Sequence, residues 1–203
     1  MHLVIARHGL TAWNLTHRFQ GQTDIPLNKR GINQAEALGE RLANENIAHI
    51  YSSDLLRAYR TAQAVAQFQG CPLEKDARLR ELNFGEWEGL TYQQIQEDQP
   101  QALKEWLEIP TEFSPPGGES LGQLAGRVQD FIDTIQQNHS QQRILLVAHG
   151  GAIQVLLCLA LGLPAASYWQ FSISQASLSE LRFYPQGAII KRLNDTCHLK
   201  NES

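Results

Sequence analysis

Two histidines in this chain stand where an apolar run ends and a glycine begins. Arg7-His8-Gly9 follows Leu3–Ala6, and His149-Gly150-Gly151 follows Ile144–Ala148. A histidine at a strand end can have its ring held by one backbone hydrogen bond, which leaves the second nitrogen to attack or to donate. A neighbouring glycine lets backbone come close to an anion. Taken singly, either histidine is an ordinary core or surface residue; the pairing at two strand ends is what suggests a site. Several other catalytic and binding patterns do not occur. The chain has no Asp-x-Asp, no cysteine followed six positions on by arginine, no His-Glu-x-x-His, no paired cysteines and no P-loop.

The elements that would position these histidines are legible from periodicity. Leu3–Ala6 and Ile144–Ala148 are short, fully apolar runs of the kind found in buried parallel strands, and Ile47–Tyr51, followed by Ser52-Ser53-Asp54, is a third candidate. Helical spacing joins Ile32, Ala35, Leu38 and Leu42, and again Leu55, Tyr59, Ala62 and Val65. The clearest helix begins at Leu121 and carries Leu124, Val128, Phe131 and Ile135 on one face, with Ser120 and Gln123 forming a capping-box pattern. Ala152–Leu161 is another helix, stopped by Gly162 and Pro164. Ser177–Tyr184 and Ala188–Leu193, around Pro185-Gln186-Gly187, predict a hairpin at the sheet edge. Strands alternating with helices imply an α/β fold, a three-layer α/β/α sandwich with a mostly parallel central sheet. Ligands of such sheets bind beyond the carboxyl ends of the strands, where both histidines fall.

Composition narrows the partners. The 203 residues suit one domain spanning 1–203, with 42% hydrophobic and 19% charged residues. A net charge of -4 argues against a general nucleic-acid or membrane-surface binder, yet leaves room for a local basic pocket. The start of the chain has no basic leader or long apolar core of a signal peptide, and the stretch from Ala152 to Leu163 is too short to span a bilayer. Three cysteines without metal-like spacing fit a reducing, cytoplasmic setting. A monomer and a homodimer are equally compatible with the sequence.

Five blocks in order carry a resemblance to a known family. They are Arg7-His8-Gly9-Leu10-Thr11-Ala12-Trp13-Asn14; Gln20-Gly21-Gln22-Thr23-Asp24-Ile25-Pro26-Leu27; Ser52-Ser53-Asp54-Leu55-Leu56-Arg57-Ala58; Glu81-Leu82-Asn83-Phe84-Gly85-Glu86-Trp87-Glu88-Gly89; and Ala148-His149-Gly150-Gly151. Together they resemble the histidine phosphatase superfamily, in its branch of phosphoglycerate mutases and related phosphatases. The resemblance implies a phosphomonoesterase acting on small metabolites through a phosphohistidine on His8, without metal or other cofactor. It implies that Arg7, Arg57 and His149 bind and stabilise the phosphoryl group, and that Asn14, Gln20, Gly21 and Gly150 complete the cradle. Glu81 would be the general acid and then base. That choice follows the family block, because Glu86 and Glu88 lie close by. Trp87, inside the same block, is the tryptophan expected to line a substrate pocket.

Two positions depart from the family pattern: Leu10 stands where an acidic residue is frequent, and Ala148 where a serine is. The tail Leu193-Asn194-Asp195-Thr196-Cys197-His198-Leu199 is similar to that of metal-independent phosphoserine phosphatases, which makes His198 a candidate substrate contact. Leu163-Pro164-Ala165-Ala166-Ser167-Tyr168-Trp169 instead resembles α-ribazole-5′-phosphate phosphatases. Two rivals remain. Phosphoglycerate mutases carry a longer basic insertion after the acid block, whereas Leu90–Pro116 here has Lys104 as its sole basic residue. Gly118-Glu119-Ser120-Leu121-Gly122 matches the serine-esterase pattern, but Pro115 and Pro116 precede it where a strand would be needed, so Ser120 reads better as a helix cap.

Overall fold

The computed structural model describes residues 1–199. The first half runs β1 (His2–Arg7), α1 (Ala12–Leu15), α2 (Lys29–Leu42), β2 (His49–Ser52), α3 (Leu56–Ala66) and β3 (Leu73–Lys75). It continues with α4 (Tyr92–Asp98), α5 (Pro100–Glu108), α6 (Leu121–Asn138), β4 (Arg143–Ala148), α7 (Gly150–Ala160), β5 (Leu178–Tyr184) and β6 (Gly187–Asp195). Short 3-10 turns fill several of the connections.

The six strands form one mixed sheet in the order β3-β2-β4-β1-β5-β6. The first four run parallel, while β5 lies antiparallel to β1 and β6 antiparallel to β5, which is the expected edge hairpin. Register sets the site. Arg7 pairs with Ala148 and Ser52 with Val147, so His8, Ser53 and His149 leave the sheet side by side at the carboxyl ends of β1, β2 and β4.

Both faces of the central strands are covered, which is why β1 and β4 are continuous apolar runs instead of alternating ones. Leu3, Ile5, Ile144 and Leu146 pack with α6 and α7, and Val4, Ala6, Leu145 and Val147 with α2 and α3. The α/β/α layering therefore stands. Ser120 caps α6 with the reciprocal Gln123 bond, as the capping pattern requires.

Three local expectations need correction. Ile32 lies outside the buried stripe of α2 at 48% exposure, because Gly31, Gln34, Ala35, Leu38 and Leu42 form that stripe. Leu55 precedes α3 as its cap residue and contributes from outside the helix. Trp87 is fully buried at 0% exposure in an aromatic cluster with Phe19 and Trp106, its Nε1–H donating to Gln99 Oε1 at 2.8 Å. It is core, not pocket wall. Among the described residues no helix is long and apolar enough to cross a membrane.

Candidate active site

The site assembles around the N-terminus of α7, where helix amide groups and their dipole favour an anion. His8 follows β1 and is buried. Its Nδ1 lies 2.7 Å from the Gly9 carbonyl, an acceptor, so Nδ1 carries the proton and Nε2 the lone pair. Among the described residues no group bonds Nε2. Burial above all, then the charges of Arg57 and Arg7, holds the His8 imidazole well below its usual range and thus neutral.

His149 is the cap residue of α7, and its ring centroid is 5.1 Å from that of His8. Both ring nitrogens are engaged: Nδ1 accepts from Arg57 Nε at 3.2 Å, which leaves Nε2–H to donate to Ser53 Oγ at 2.8 Å. Burial first, then Arg57, holds this imidazole neutral as well. To donate to a phosphoryl oxygen, His149 would have to exchange Ser53 for it.

Two arginines flank the pair. Arg7 Nη1 donates to the Ile173 carbonyl at 2.6 Å, while its buried Nε–H has no partner among the described residues. A buried cationic donor left unpaired beside a helix N-terminus is what an oxyanion satisfies. The guanidinium lies against Gly150, where a Cβ would come within 3.3 Å of its Cζ. Arg57, fully buried, donates to the carbonyls of Gly21 at 2.6 Å and Thr23 at 2.8 Å. Burial lowers its pKa to about 10, opposed by Glu81, Asp24 and Glu88, so it stays charged at neutral pH.

Packing separates the three carboxylates of the acid block. Glu81 reaches the first turn of α7 and accepts from the amides of Gly151 at 3.1 Å and Ala152 at 3.2 Å. A Cβ at Gly151 would lie 2.6 Å from Glu81 Oε1, so a side chain there would displace the carboxylate from its seat. Glu88 points elsewhere. It accepts from the amides of Gln22 and Thr23, both at 2.8 Å, from Phe84 at 3.2 Å, and from the Thr23 hydroxyl. It therefore clasps the loop that Arg57 holds from the other side, and the tight approach at Gly21 (φ +50°) excludes any Cβ. Glu86 is exposed.

The residues expected to complete the cradle sit on this loop and on α1. Asn14 Oδ1 accepts from the Thr11 amide at 3.0 Å, so its amide nitrogen is the group available to an anion. Gln20 Oε1 lies 2.9 Å from the Thr11 hydroxyl, which likewise leaves its NH2 group as the donor. His198 bonds the Ala176 carbonyl at 2.9 Å, and the Ala176 amide donates to the His8 carbonyl at 3.1 Å. The structure thus ties His198 to the strand end that carries His8.

The two departures from pattern are absorbed by packing. Leu10 is buried, with its amide bonded to Gln34 Oε1 at 2.9 Å, and Ala148 is buried with its carbonyl accepting the His8 amide at 3.0 Å. Ser120 Oγ caps α6 by accepting from Gln123, a role at odds with a nucleophile on a strained turn. Sequence reasoning did not anticipate Ser53 as the partner of His149, or Glu88 as a clasp. Nor did it single out the N-cap Thr91 with its N3 partner Gln94, although that capping box was visible at the start of α4. Among the described residues no group of three or more His, Cys, Asp or Glu side chains is arranged to hold a metal ion.

The family model for the histidine phosphatase superfamily (branch 1) matches residues 3–196. Phosphoserine phosphatase 1 of Hydrogenobacter thermophilus is 33% identical over 197 residues, covering 97% of this chain and 93% of that protein. A probable phosphoglycerate mutase GpmB of Yersinia pestis is 35% identical over 204 residues, covering 98% and 95%. The crystal structure of the α-ribazole phosphatase from Shigella flexneri superposes with a TM-score of 0.89 at 29% identity, covering 96% of each chain.

Proposed function

The chain belongs to branch 1 of the histidine phosphatase superfamily and is a phosphoric monoester hydrolase, and from that premise we propose how its residues divide the work. His8 Nε2 attacks phosphorus in line with the departing ester oxygen. The P–O bond breaks as the N–P bond forms, and Glu81 gives a proton to the leaving alcohol. Water then attacks the phosphohistidine, Glu81 takes a proton from it, and inorganic phosphate leaves with His8 restored.

Arg7, Arg57, Asn14, Gln20 and the Gly150 amide hold the three peripheral oxygens, which is the main demand of phosphoryl transfer. His149 joins them by yielding its bond to Ser53. The observation that carries this reading is the His8 ring: one nitrogen is fixed to a carbonyl, the other bears a lone pair, and burial, then the charges of Arg57 and Arg7, keeps it neutral.

The substrates are small phosphomonoesters, with α-ribazole 5′-phosphate and phosphoserine the first candidates, in keeping with the names of the relatives. Hydrolysis is favoured over mutase chemistry by the segment that follows the acid block. Lys104 is the sole basic residue of Leu90–Pro116, and it is paired with Glu108 at 3.8 Å on the exposed side of α5. Nothing cationic in that segment would retain a bisphosphate while water is excluded.

The test is phosphate release in EDTA from p-nitrophenyl phosphate, phosphoserine, 3-phosphoglycerate and α-ribazole 5′-phosphate, with His8→Ala alongside. Release by the unsubstituted protein, with a base-stable phosphoenzyme that His8→Ala cannot form, is expected. Near-normal turnover by His8→Ala would overturn the assignment.

A further inference from the structure

Glu81 comes from a connection, residues 80–84, that has neither strand nor α-helix to hold it. Its carboxylate is seated on α7, but a side chain can be aimed only as well as its own backbone is fixed. The group that fixes this backbone is on another element, α6. Arg127 Nη1 donates to the carbonyls of Arg78 at 2.7 Å and Arg80 at 2.6 Å, and Nη2 donates to the carbonyl of Glu81 at 2.9 Å. The remaining N–H groups go to Glu119: Nε to Oε2 at 3.2 Å and Nη2 to Oε1. All five donors of the guanidinium are thereby used, three of them on carbonyls within four residues of chain.

Glu119 completes the arrangement from the other end. Its Oε1 accepts from the Asn83 amide at 2.9 Å, and its own amide donates to the Asn83 carbonyl at 2.9 Å. The acid-bearing segment is therefore gripped on both sides of Glu81, at 78–81 by Arg127 and at 83 by Glu119. A second donor, Gln22 Nε2, reaches the Glu81 carbonyl at 3.2 Å and ties it to the phosphate loop.

We propose that Arg127, oriented by Glu119, is the positioning residue for the proton-transfer carboxylate of Glu81. The inference rests on the reading of Glu81 as general acid given above. Arg127 takes no part in bond making; its rigid planar fork sets where the Glu81 carboxylate stands relative to the departing oxygen. Lysine offers three donors on one nitrogen and cannot reproduce that fork. A displacement near 1 Å of a catalytic group costs on the order of 100-fold in rate.

The experiment compares kcat/KM for an alkyl phosphomonoester, whose leaving group needs a proton, with that for p-nitrophenyl phosphate, whose leaving group does not. Arg127→Lys and Glu119→Gln are each made alone and in the Glu81→Gln background, below their melting temperatures. Each is expected to lose roughly 10–100-fold on the alkyl ester and less than about 3-fold on p-nitrophenyl phosphate. In the Glu81→Gln background the additional loss should fall below about 2-fold, since the group being positioned is already disabled. Equal losses on both substrates, or losses that multiply with Glu81→Gln, would overturn the proposal and reduce Arg127 to a general scaffold. If Glu81→Gln itself shows no preference for the poor leaving group, the acid assignment falls and this proposal with it. If Glu81→Gln is selective but neither clamp variant is, the proposal alone falls.

Discussion

Replacing Glu88 by alanine tests whether this carboxylate holds the loop at residues 22–23, leaving proton transfer to the role proposed for Glu81. Glu88 receives three backbone N–H groups, from Gln22, Thr23 and Phe84, together with the Thr23 hydroxyl. Alanine leaves those three amides without their acceptor. At about 1 kcal/mol each, after partial compensation by water in a half-buried site, the loss is about 3 kcal/mol of stability. The function should suffer through the same loop. The Gly21 and Thr23 carbonyls are the acceptors for Arg57, so a relaxed loop releases the guanidinium proposed to bind phosphate.

Urea unfolding at pH 7.5 reads the first effect, and kcat/KM across phosphomonoesters of different leaving group reads the second. The expected result is a drop of about 3 kcal/mol with kcat/KM lowered by a similar factor, roughly 10–100-fold, for every substrate. Glu86→Ala, at an exposed position of the same block, should stay within about 0.5 kcal/mol of the parent. A stability loss below about 1 kcal/mol, or a rate loss confined to poor leaving groups, would refute the reasoning and place Glu88 in the proton-transfer step.

Three further outcomes are expected. His8 and His149 are held neutral in the fold and titrate near 6.5 when unfolded, so below that pH the unfolded chain takes up the protons. Their contribution is complete above about pH 6.5 and is lost as pH falls, by up to about 1.4 kcal/mol per pH unit for each histidine. Chemical denaturation between pH 7.5 and 5.5 should therefore show a shallower slope for His8→Gln than for the parent, and parallel slopes would contradict this. Gly151→Ala should push the Glu81 carboxylate aside at the 2.6 Å approach, lowering kcat/KM for alkyl esters at least 10-fold while thermal melting barely moves. A fully active variant would show that Glu81 does not need its seat on α7. Ser120→Ala removes the cap of α6 and should cost about 1 kcal/mol while leaving turnover intact; a loss above 100-fold would instead revive a serine nucleophile.

What the chain could announce by itself was whatever depends on neighbours in sequence. Leu3–Ala6 and Ile144–Ala148 read as buried strands because every residue in them is apolar, and the helix from Leu121 was visible in its spacing and its Ser120–Gln123 box. From those two strands the placement of His8 and His149 at the carboxyl ends of neighbouring strands followed. Elements without such a signal escaped notice. β3 is three residues long with two of them exposed, and α4 and α5 are too short for their periodicity to show.

Tertiary structure alone decided between groups of the same chemistry. Glu81, Glu86 and Glu88 are three carboxylates within eight residues, and no local pattern distinguishes them. Their roles diverge because the chain turns between them, sending one to α7, leaving one in water and closing one over residues 22–23. Trp87 was drawn into the core by the same turn, although its place in the block had suggested a pocket wall. The pairings of Arg57 with His149, and of Arg127 with the Glu81 backbone, span 92 and 46 residues. Such contacts are set by the direction in which packed elements aim their side chains, which spacing along the chain does not encode.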